Sequence, residues 1–266
     1  GVKCPHCLDG NAIGDGWADP RSHHAAQPVR WVRELRPSWV CFEQVPAVLG
    51  LWQHASDVLR RWGYSTWTGV LNSADYGVPQ TRERAVLIAS TTHLARPPAP
   101  THGRRPEGTD LFGGELQPWV SMADALSWDS TRADVALRNG TNANACTRAA
   151  NQPAGTLFFG ARLNNVSWVY RRPATTVAGD PRIAAPGHRD RAGGERQHEK
   201  SIRVSLEEAA ILQSFPAGYP WSGTKSAQFL QVGNAVPPRL ASHVVAAAAD
   251  LHTVNSGSNP AGGDRG

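Results

Sequence analysis

The most informative part of the chain for its fold begins Trp39-Val-Cys-Phe-Glu-Gln-Val45. Its first five residues form a short apolar run that ends in an acid, which is typical of a buried strand with a carboxylate at its end. A segment with apolar residues at helical spacing follows, and then a second strand-like run. The stretch closes with Gly77-Val-Pro-Gln-Thr-Arg-Glu-Arg84. A strand-end carboxylate with two arginines nearby suits a site that handles an electron-rich ring on a polyanion.

The pattern on both sides of this run predicts an α/β sheet. Helical periodicity extends from Pro28 to a stop before Pro37, and it returns over residues 51–62. Strand-like runs cover residues 64–71 and 85–90. Strands that alternate with helices through short connections are typical of such sheets. Their ligands bind beyond the carboxyl ends of the strands, where the acid of the first strand is predicted to lie.

A loop-rich region interrupts this pattern over residues 93–200. It is rich in Pro, Gly and charged residues at its start, and it contains short strand-like pieces such as residues 156–159 and 166–170. Helical periodicity is weak there, apart from a short stretch near residues 122–126. We therefore predict a smaller, loop-dominated domain.

Regular structure returns after the loop-rich region. Ser205-Leu-Glu-Glu208 is a capping box that opens a predicted helix, and Gly233-Asn-Ala-Val-Pro-Pro238 precedes another. We predict that residues 1–92 and 201–252 form one catalytic α/β domain. Residues 253–266, rich in Gly, Ser, Asn and Pro, are predicted to be a disordered tail.

Composition limits the class of protein. A chain of 266 residues can bury a full core, and a net charge of +5 permits a polyanionic partner. The basic residues are nearly all arginine, with lysine only at Lys3, Lys200 and Lys225, and arginine suits bidentate contacts to phosphate and guanine. No signal peptide or run of 18 apolar residues occurs, so we expect a cytoplasmic protein without a membrane span.

Five short segments resemble, in order, the motif series of the cytosine-5 DNA methyltransferases. They are Pro5-His-Cys7, Glu43-Gln-Val45, Gln80-Thr-Arg-Glu-Arg84, Arg172-Pro-Ala-Thr-Thr-Val177 and Gly233-Asn-Ala-Val-Pro-Pro238. The third and fifth match the family pattern fully, whereas Gln44 replaces the usual Asn and His6 replaces a second Pro. Each segment is short, but the ordered series with compatible gaps is specific.

The resemblance implies a Rossmann-like, S-adenosylmethionine-dependent methyltransferase core, incomplete at its N-terminus, with residues 93–200 as the target recognition domain. The implied reaction methylates C5 of cytosine in double-stranded DNA, in bacterial or phage restriction-modification. Cytosine C5 is a weak nucleophile, and a thiolate that adds to C6 turns the ring into a reactive enamine. The base must first be flipped out of the duplex.

On the family's pattern, Cys7 is the nucleophile, Glu43 binds N3, and one of Arg82 or Arg84 helps to hold the base near O2. The two arginines alternate along a strand, so only one can face the pocket. Cys4 remains the alternative nucleophile. No metal site is predicted, because no second Cys/His pair follows Cys4-x-x-Cys7 at metal spacing.

The resemblance also implies binding residues for the cofactor and for DNA. The cofactor set is Asn234, Ala235 and Val236. The DNA set is Gln80, Arg172, Thr175 and Thr176. Loops over residues 139–148 and 160–165 are expected to read the target sequence. Arg172 could instead be structural, and Asn234 could be only a turn residue.

No segment matches the family's Phe-x-Gly-x-Gly cofactor loop. We therefore expect a fragment, a decayed copy, or one half of a split enzyme that works with a separate N-terminal methyltransferase chain. The rival from another class is a non-catalytic DNA-binding remnant that keeps only the recognition domain.

Overall fold

The computed structural model describes residues 24–104, 116–128, 135–139, 146–157, 159, 166–170 and 201–251. The chain divides into two compact units. Unit 1 is made of Gly1–Gly69, Ala85–Ala99 and Ser242–Gly266, and unit 2 of Val70–Arg84 and Pro100–Ala241. The predicted tail, residues 253–266, lies outside the described residues.

Unit 1 is built on a small sheet. Its elements are α1 (Gln27–Leu35), β1 (Trp39–Gln44), α2 (Leu49–Arg61), β2 (Ser65–Asn72) and β3 (Glu83–Ser90). The strand order is β1-β3-β2, and β1 runs antiparallel to β3. The last three residues of β2 and the first two of β3 are assigned to unit 2. The sequence pattern predicted all five elements, and their observed ends differ by one or two residues.

Helix α2 supplies much of the core of unit 1. Its apolar residues recur at helical spacing and bury one face, so burial rather than local propensity stabilises it. Trp52 is 2% exposed, and its Nε1 donates to the Ala85 carbonyl at 3.1 Å. The helix ends before Gly63, whose φ of 91° is typical of a glycine that directly follows a helix.

Unit 2 contains several short elements. These are β4 (His102–Gly103), β5 (Gln117–Pro118), α3 (Met122–Ala125), β6 (Val135–Asn139), β7 (Cys146–Ala149), β8 (Val166–Tyr170), β9 (Ser201–Arg203), α4 (Leu206–Leu212) and α5 (Lys225–Asn234). The main sheet has the order β7-β6-β8-β9 and is antiparallel throughout. A last helix, α6 (Pro238–Ala249), begins in unit 2, and its residues from Ser242 onward belong to unit 1.

Helices α4 and α5 share one apolar core with the main sheet of unit 2. Leu137 and Trp168 of the sheet lie in the same buried cluster as Leu212 of α4 and Phe229 of α5. The capping box predicted at the start of α4 is confirmed. Glu208 N donates to Ser205 Oγ at 3.1 Å, and Ser205 N donates to Glu208 Oε2 at 2.7 Å.

In unit 2, one predicted strand is wrong and one helix was not predicted. The strand predicted over residues 156–159 is wrong for its three described residues, which belong to no strand. Instead, the Thr156 carbonyl accepts from the side-chain amide of Asn139. Helix α5 was not predicted, although Thr224 caps it by accepting from Ala227 N at 3.3 Å.

Residues 201–241 fall in unit 2 together with β6–β8, whereas the predicted boundary separates them. Packing alone does not assign a function to a segment, so the predicted domain boundaries stay a prediction. Among the helices that the structure describes, none is both long and apolar enough to cross a membrane.

Candidate active site

Several predicted site residues lie outside the described residues. They are the nucleophile Cys7, its alternative Cys4, and the DNA-binding set Arg172, Thr175 and Thr176. Their roles stay predictions. The described candidates are Glu43 in unit 1, and Gln80, Arg82, Arg84 and the segment from Asn234 to Val236 in unit 2.

Glu43 is the last residue but one of β1, at the carboxyl end that the sequence predicted. It pairs with Val86 of β3 and is half-buried. The side chain of Gln44 accepts from Val45 N at 2.8 Å, and a short 3₁₀ turn, Pro46–Val48, follows. Local hydrogen bonds therefore end the strand directly after the candidate acid.

The two candidate arginines differ in environment. Arg82 is 2% exposed, and its Nη2 donates to the Gly233 carbonyl at 2.8 Å. Arg84 is half-buried, and its Nη1 donates to the carbonyl of the preceding residue, Glu83, at 2.7 Å. Arg82 thus binds the backbone of a residue that is distant in sequence, whereas the partly exposed Arg84 binds the backbone of its neighbour.

Gln80 is completely buried. Neither its Oε1 nor its Nε2 has a hydrogen-bond partner within the described part of the chain. In this arrangement the Gln80 side chain has no exposed surface with which to contact DNA. The DNA contact of Gln80 stays a prediction.

Backbone bonds close the loop that carries Gln80 and Arg82. Both the N–H and the hydroxyl of Ser73 donate to the Arg82 carbonyl at 2.9 Å. Ala154 N donates to the Pro79 carbonyl at 2.9 Å, and Thr81 N donates to the Ala154 carbonyl at 2.8 Å. The loop is therefore held from both sides within unit 2.

The predicted cofactor segment leaves the end of α5. Asn234 is the last helical residue and is exposed, while Ala235 and Val236 are half-buried. Ala235 is extended, with φ −66° and ψ 149°, and Pro238 opens α6. Proline disfavours a helical conformation in the residue before it and is tolerated in a first helical turn, so Pro237 and Pro238 help to separate α5 from α6.

The segment could hold S-adenosylmethionine because it combines an exposed carboxamide with partly open apolar side chains. That donor set fits a ligand with polar groups and an aromatic ring. Within the described stretches, no cluster of three His, Cys, Asp or Glu side chains could hold a metal ion.

Two family-like segments meet in unit 2. The bond from Arg82 to Gly233 joins residues 151 positions apart. Next to it, Gln213 Nε2 donates to the Val232 carbonyl at 2.7 Å. The last carbonyls of a helix lack intrahelical partners and carry partial negative charge, so a guanidinium and an amide stabilise the end of α5. No role for Gln213 was predicted from the sequence.

Burial changes the pKa of several described groups, among them Cys41, Asp75 and Tyr76. It raises the pKa of the Cys41 thiol in unit 1, which keeps this cysteine in its less nucleophilic form. In unit 2, burial raises the pKa of Asp75, against a hydrogen bond from Trp119 Nε1 at 2.9 Å that lowers it. Burial, with the Asp75 charge beside it, also raises the pKa of Tyr76.

The family profile of the C-5 cytosine-specific DNA methylases matches residues 9–249, so the chain belongs to this family. The Type II methyltransferase M1.HphI of Haemophilus parahaemolyticus is 29% identical over 95% of this chain and 68% of its own length. The Type II methyltransferase M.SacI of Streptomyces achromogenes is 28% identical over 86% of this chain and 64% of its own length. The chain thus spans about two thirds of these relatives.

Among solved structures, the S. pombe Dnmt2 methyltransferase is similar with a TM-score of 0.50 and 13% identity. The match covers 87% of this chain and 73% of that one. At this identity the likeness shows the fold alone. The predicted α/β, Rossmann-like methyltransferase fold is confirmed.

Proposed function

We propose that the chain transfers a methyl group from S-adenosylmethionine to C5 of cytosine in double-stranded DNA. Family membership supports the reaction class. The observation that carries the proposal further is the bond from Arg82 to the Gly233 carbonyl, because it joins two segments of the family's series that lie far apart in sequence.

The proposed reaction uses a covalent adduct on a flipped-out base. The Cys7 thiolate adds to C6, and the resulting enamine attacks the methyl group through C5. A base then removes the C5 proton and the thiolate leaves, so the products are 5-methylcytosine, S-adenosylhomocysteine and a proton. Glu43 binds N3 while negative charge develops on the ring.

Between the two arginines, we assign the contact near cytosine O2 to Arg84. Arg82 is 2% exposed and binds a backbone carbonyl of unit 2, whereas Arg84 is half-buried. To bind the base, Arg82 would have to give up the Gly233 carbonyl, at a cost of about 1–3 kcal/mol.

S-adenosylmethionine supplies the electrophilic methyl group when it is bound. Asn234, Ala235 and Val236 would hold it, and residues 93–200 would read the target sequence. The net charge of +5 favours DNA as partner. We place the enzyme in the cytoplasm of a bacterium, within restriction-modification, because its relatives are Type II methyltransferases. The comparisons give no support to a separate N-terminal chain, which we leave out of the proposal.

The test is covalent capture on DNA that contains 5-fluorocytosine. Fluorine at C5 cannot be removed as a proton is, so the Cys–C6 adduct persists after methyl transfer. We expect capture that requires S-adenosylmethionine, is lost in Cys7→Ser and is retained in Cys4→Ser. Cys41→Ser is the matched control and should be captured like the parent chain.

Other outcomes would separate the alternatives. Capture of Cys7→Ser with loss in Cys4→Ser would move the nucleophile to Cys4. DNA binding without capture or turnover in the parent chain would contradict the proposal and favour the DNA-binding remnant.

A further inference from the structure

We infer that Gly77, Arg82, Gln213 and Ser214 form a clamp that fixes residues 232–239, and that Arg82 and Gln213 are positioning residues for cofactor binding. All four belong to unit 2. The inference rests on the proposed function, because it takes Asn234, between the clamped ends, as part of the cofactor site.

The first end of the segment is held at two consecutive carbonyls. Gln213 Nε2 binds the Val232 carbonyl at 2.7 Å, and Arg82 Nη2 binds the Gly233 carbonyl at 2.8 Å. Gln213 is completely buried and Arg82 is 2% exposed. The end of α5 is therefore fixed by two buried donors instead of by water.

The second end of the segment, at Arg239, is held by residues next to those that hold the first end. Arg239 N donates to Ser214 Oγ at 3.2 Å, and Arg239 Nη1 donates to the Gly77 carbonyl at 2.8 Å. Gly77 has a φ of 74°, and a Cβ there would lie 2.7 Å from His102 Cε1 and 3.2 Å from Arg239 Nη1. Glycine at this position thus allows the arginine to approach the backbone.

Each pair of clamp residues, Gln213 with Ser214 and Gly77 with Arg82, therefore binds both ends of the segment. Residues 213 and 214 are neighbours in sequence, and residues 77 and 82 lie in one closed loop. A shift of the segment relative to either pair would break bonds at both ends. The backbone that carries the exposed Asn234 is consequently fixed in the absence of ligand.

A fixed backbone favours ligand binding because less conformational freedom is lost on association. The clamp should therefore govern affinity for S-adenosylmethionine and leave the affinity for DNA unchanged. It also gives Arg82 a role that needs no contact with the base.

The matched pair of variants is Gln213→Met and Gln228→Met in the full chain. Gln228 also lies in unit 2, and its Nε2 donates to the carbonyls of Trp221 and Gly223, near the start of α5. Both substitutions remove an amide that binds backbone carbonyls, but only the first removes a bond at the clamp.

We expect Gln213→Met to weaken binding of S-adenosylmethionine about tenfold, the size expected for one lost buried hydrogen bond. The KM for S-adenosylmethionine should rise and the KM for DNA should stay within about twofold. Hydrogen exchange should accelerate at the amides of Ala235 and Arg239, which bind Gln231 and Ser214. Gln228→Met should match the parent chain in all three measurements.

Three further variants keep the test decisive if Gln213→Met does not fold. Ser214 has a φ of 64°, so Ser214→Gly removes the hydroxyl at a position where glycine is favoured. It should reproduce the faster exchange at Arg239 and a weaker affinity for S-adenosylmethionine. Arg82→Lys should recover part of the affinity that Arg82→Met loses.

The outcomes separate this inference from the proposed function. Binding of S-adenosylmethionine by the parent chain with equal affinity in Gln213→Met and Ser214→Gly would overturn the clamp and leave the proposed function standing. A rise in the KM for DNA equal to that for the cofactor would also overturn it, because a general structural defect would explain both. A parent chain that binds no S-adenosylmethionine would contradict the proposed function itself.

Discussion

Unit 1 and unit 2 bury different kinds of side chain. Among the described residues, six of the eight buried polar or charged side chains belong to unit 2, and only Ser56 and Ser90 belong to unit 1. The core of unit 1 comes from residues 26–64 and 85–89, whereas that of unit 2 is spread over residues 122–232.

The difference shows how each unit is stabilised. Unit 1 relies mainly on apolar burial, to which a few donors such as Trp52 Nε1 on the Ala85 carbonyl contribute. Unit 2 adds buried polar and charged side chains, such as Arg82, which binds the Gly233 carbonyl 151 positions away. Such bonds fix loops that packing alone would leave free, which suits a unit that carries most of the described candidate site.

The largest expected effect tests apolar burial in unit 1. Trp52→Ala should lower the free energy of unfolding by about 3–5 kcal/mol, because it removes a buried ring and opens a cavity. Trp31→Ala is the control, since Trp31 is 65% exposed; it should change stability by no more than about 0.5 kcal/mol. Urea denaturation measures both, and equal effects would contradict the burial account.

The next largest effect tests a polar contact in unit 2. Glu208 Oε2 accepts from Ser205 N at 2.7 Å and from Trp168 Nε1 at 3.2 Å. Glu208→Ala should cost about 2–3 kcal/mol, because it removes half of the capping box and leaves a buried indole N–H unpaired.

Glu207→Ala is the matched control, because Glu207 is the exposed neighbour in the same first turn of α4. It should cost only a few tenths of a kcal/mol through the helix dipole. Thermal unfolding followed by circular dichroism compares the two variants. A similar loss in both would mean that the polar contacts of Glu208 contribute little.

A smaller effect tests close packing at the end of α5. A Cβ on Gly233 would lie 2.9 Å from Phe159 Cδ2. Gly233→Ala should therefore destabilise the chain by about 1 kcal/mol, since overpacking outweighs the better helix propensity of alanine. In a Phe159→Leu background the same substitution should become neutral or stabilising. Chemical denaturation of the parent chain, the two single variants and the double variant gives the coupling free energy. Equal destabilisation by Gly233→Ala in both backgrounds would show that the Phe159 ring does not limit the space at residue 233.

The smallest effect concerns pH. Burial raises the pKa of Asp75 above its ordinary value of 3.8, so between these two values the folded state binds more protons than the unfolded state. Stability should therefore fall as pH rises through this window. Asp75→Asn can still accept from Trp119 and should lose this part of the pH dependence. Melting curves from pH 3 to 7 check the slope, and identical slopes for both chains would contradict it.

The sequence predicted unit 1 more completely than unit 2 for a physical reason. The elements of unit 1 follow one another closely and carry apolar residues as helical patterns or strand-like runs, so local sequence marks all five. In unit 2, helix α5 ends in Gly233 and Asn234, which favour turns, and it is stabilised by packing with Phe159 and the main sheet and by long-range bonds to its last carbonyls. Strand order there depends on pairings across long gaps, which no local pattern contains.

The family-like segments, the capping box at Ser205 and the elements of unit 1 could be predicted from local sequence, because they depend on residues a few positions apart. The burial of Arg82 on the Gly233 carbonyl, with Arg84 left partly open, depends on the folded chain. The motif at residues 80–84 alone does not distinguish the two arginines. They differ because a hydrogen bond across 151 positions forms only after the chain has brought both segments together.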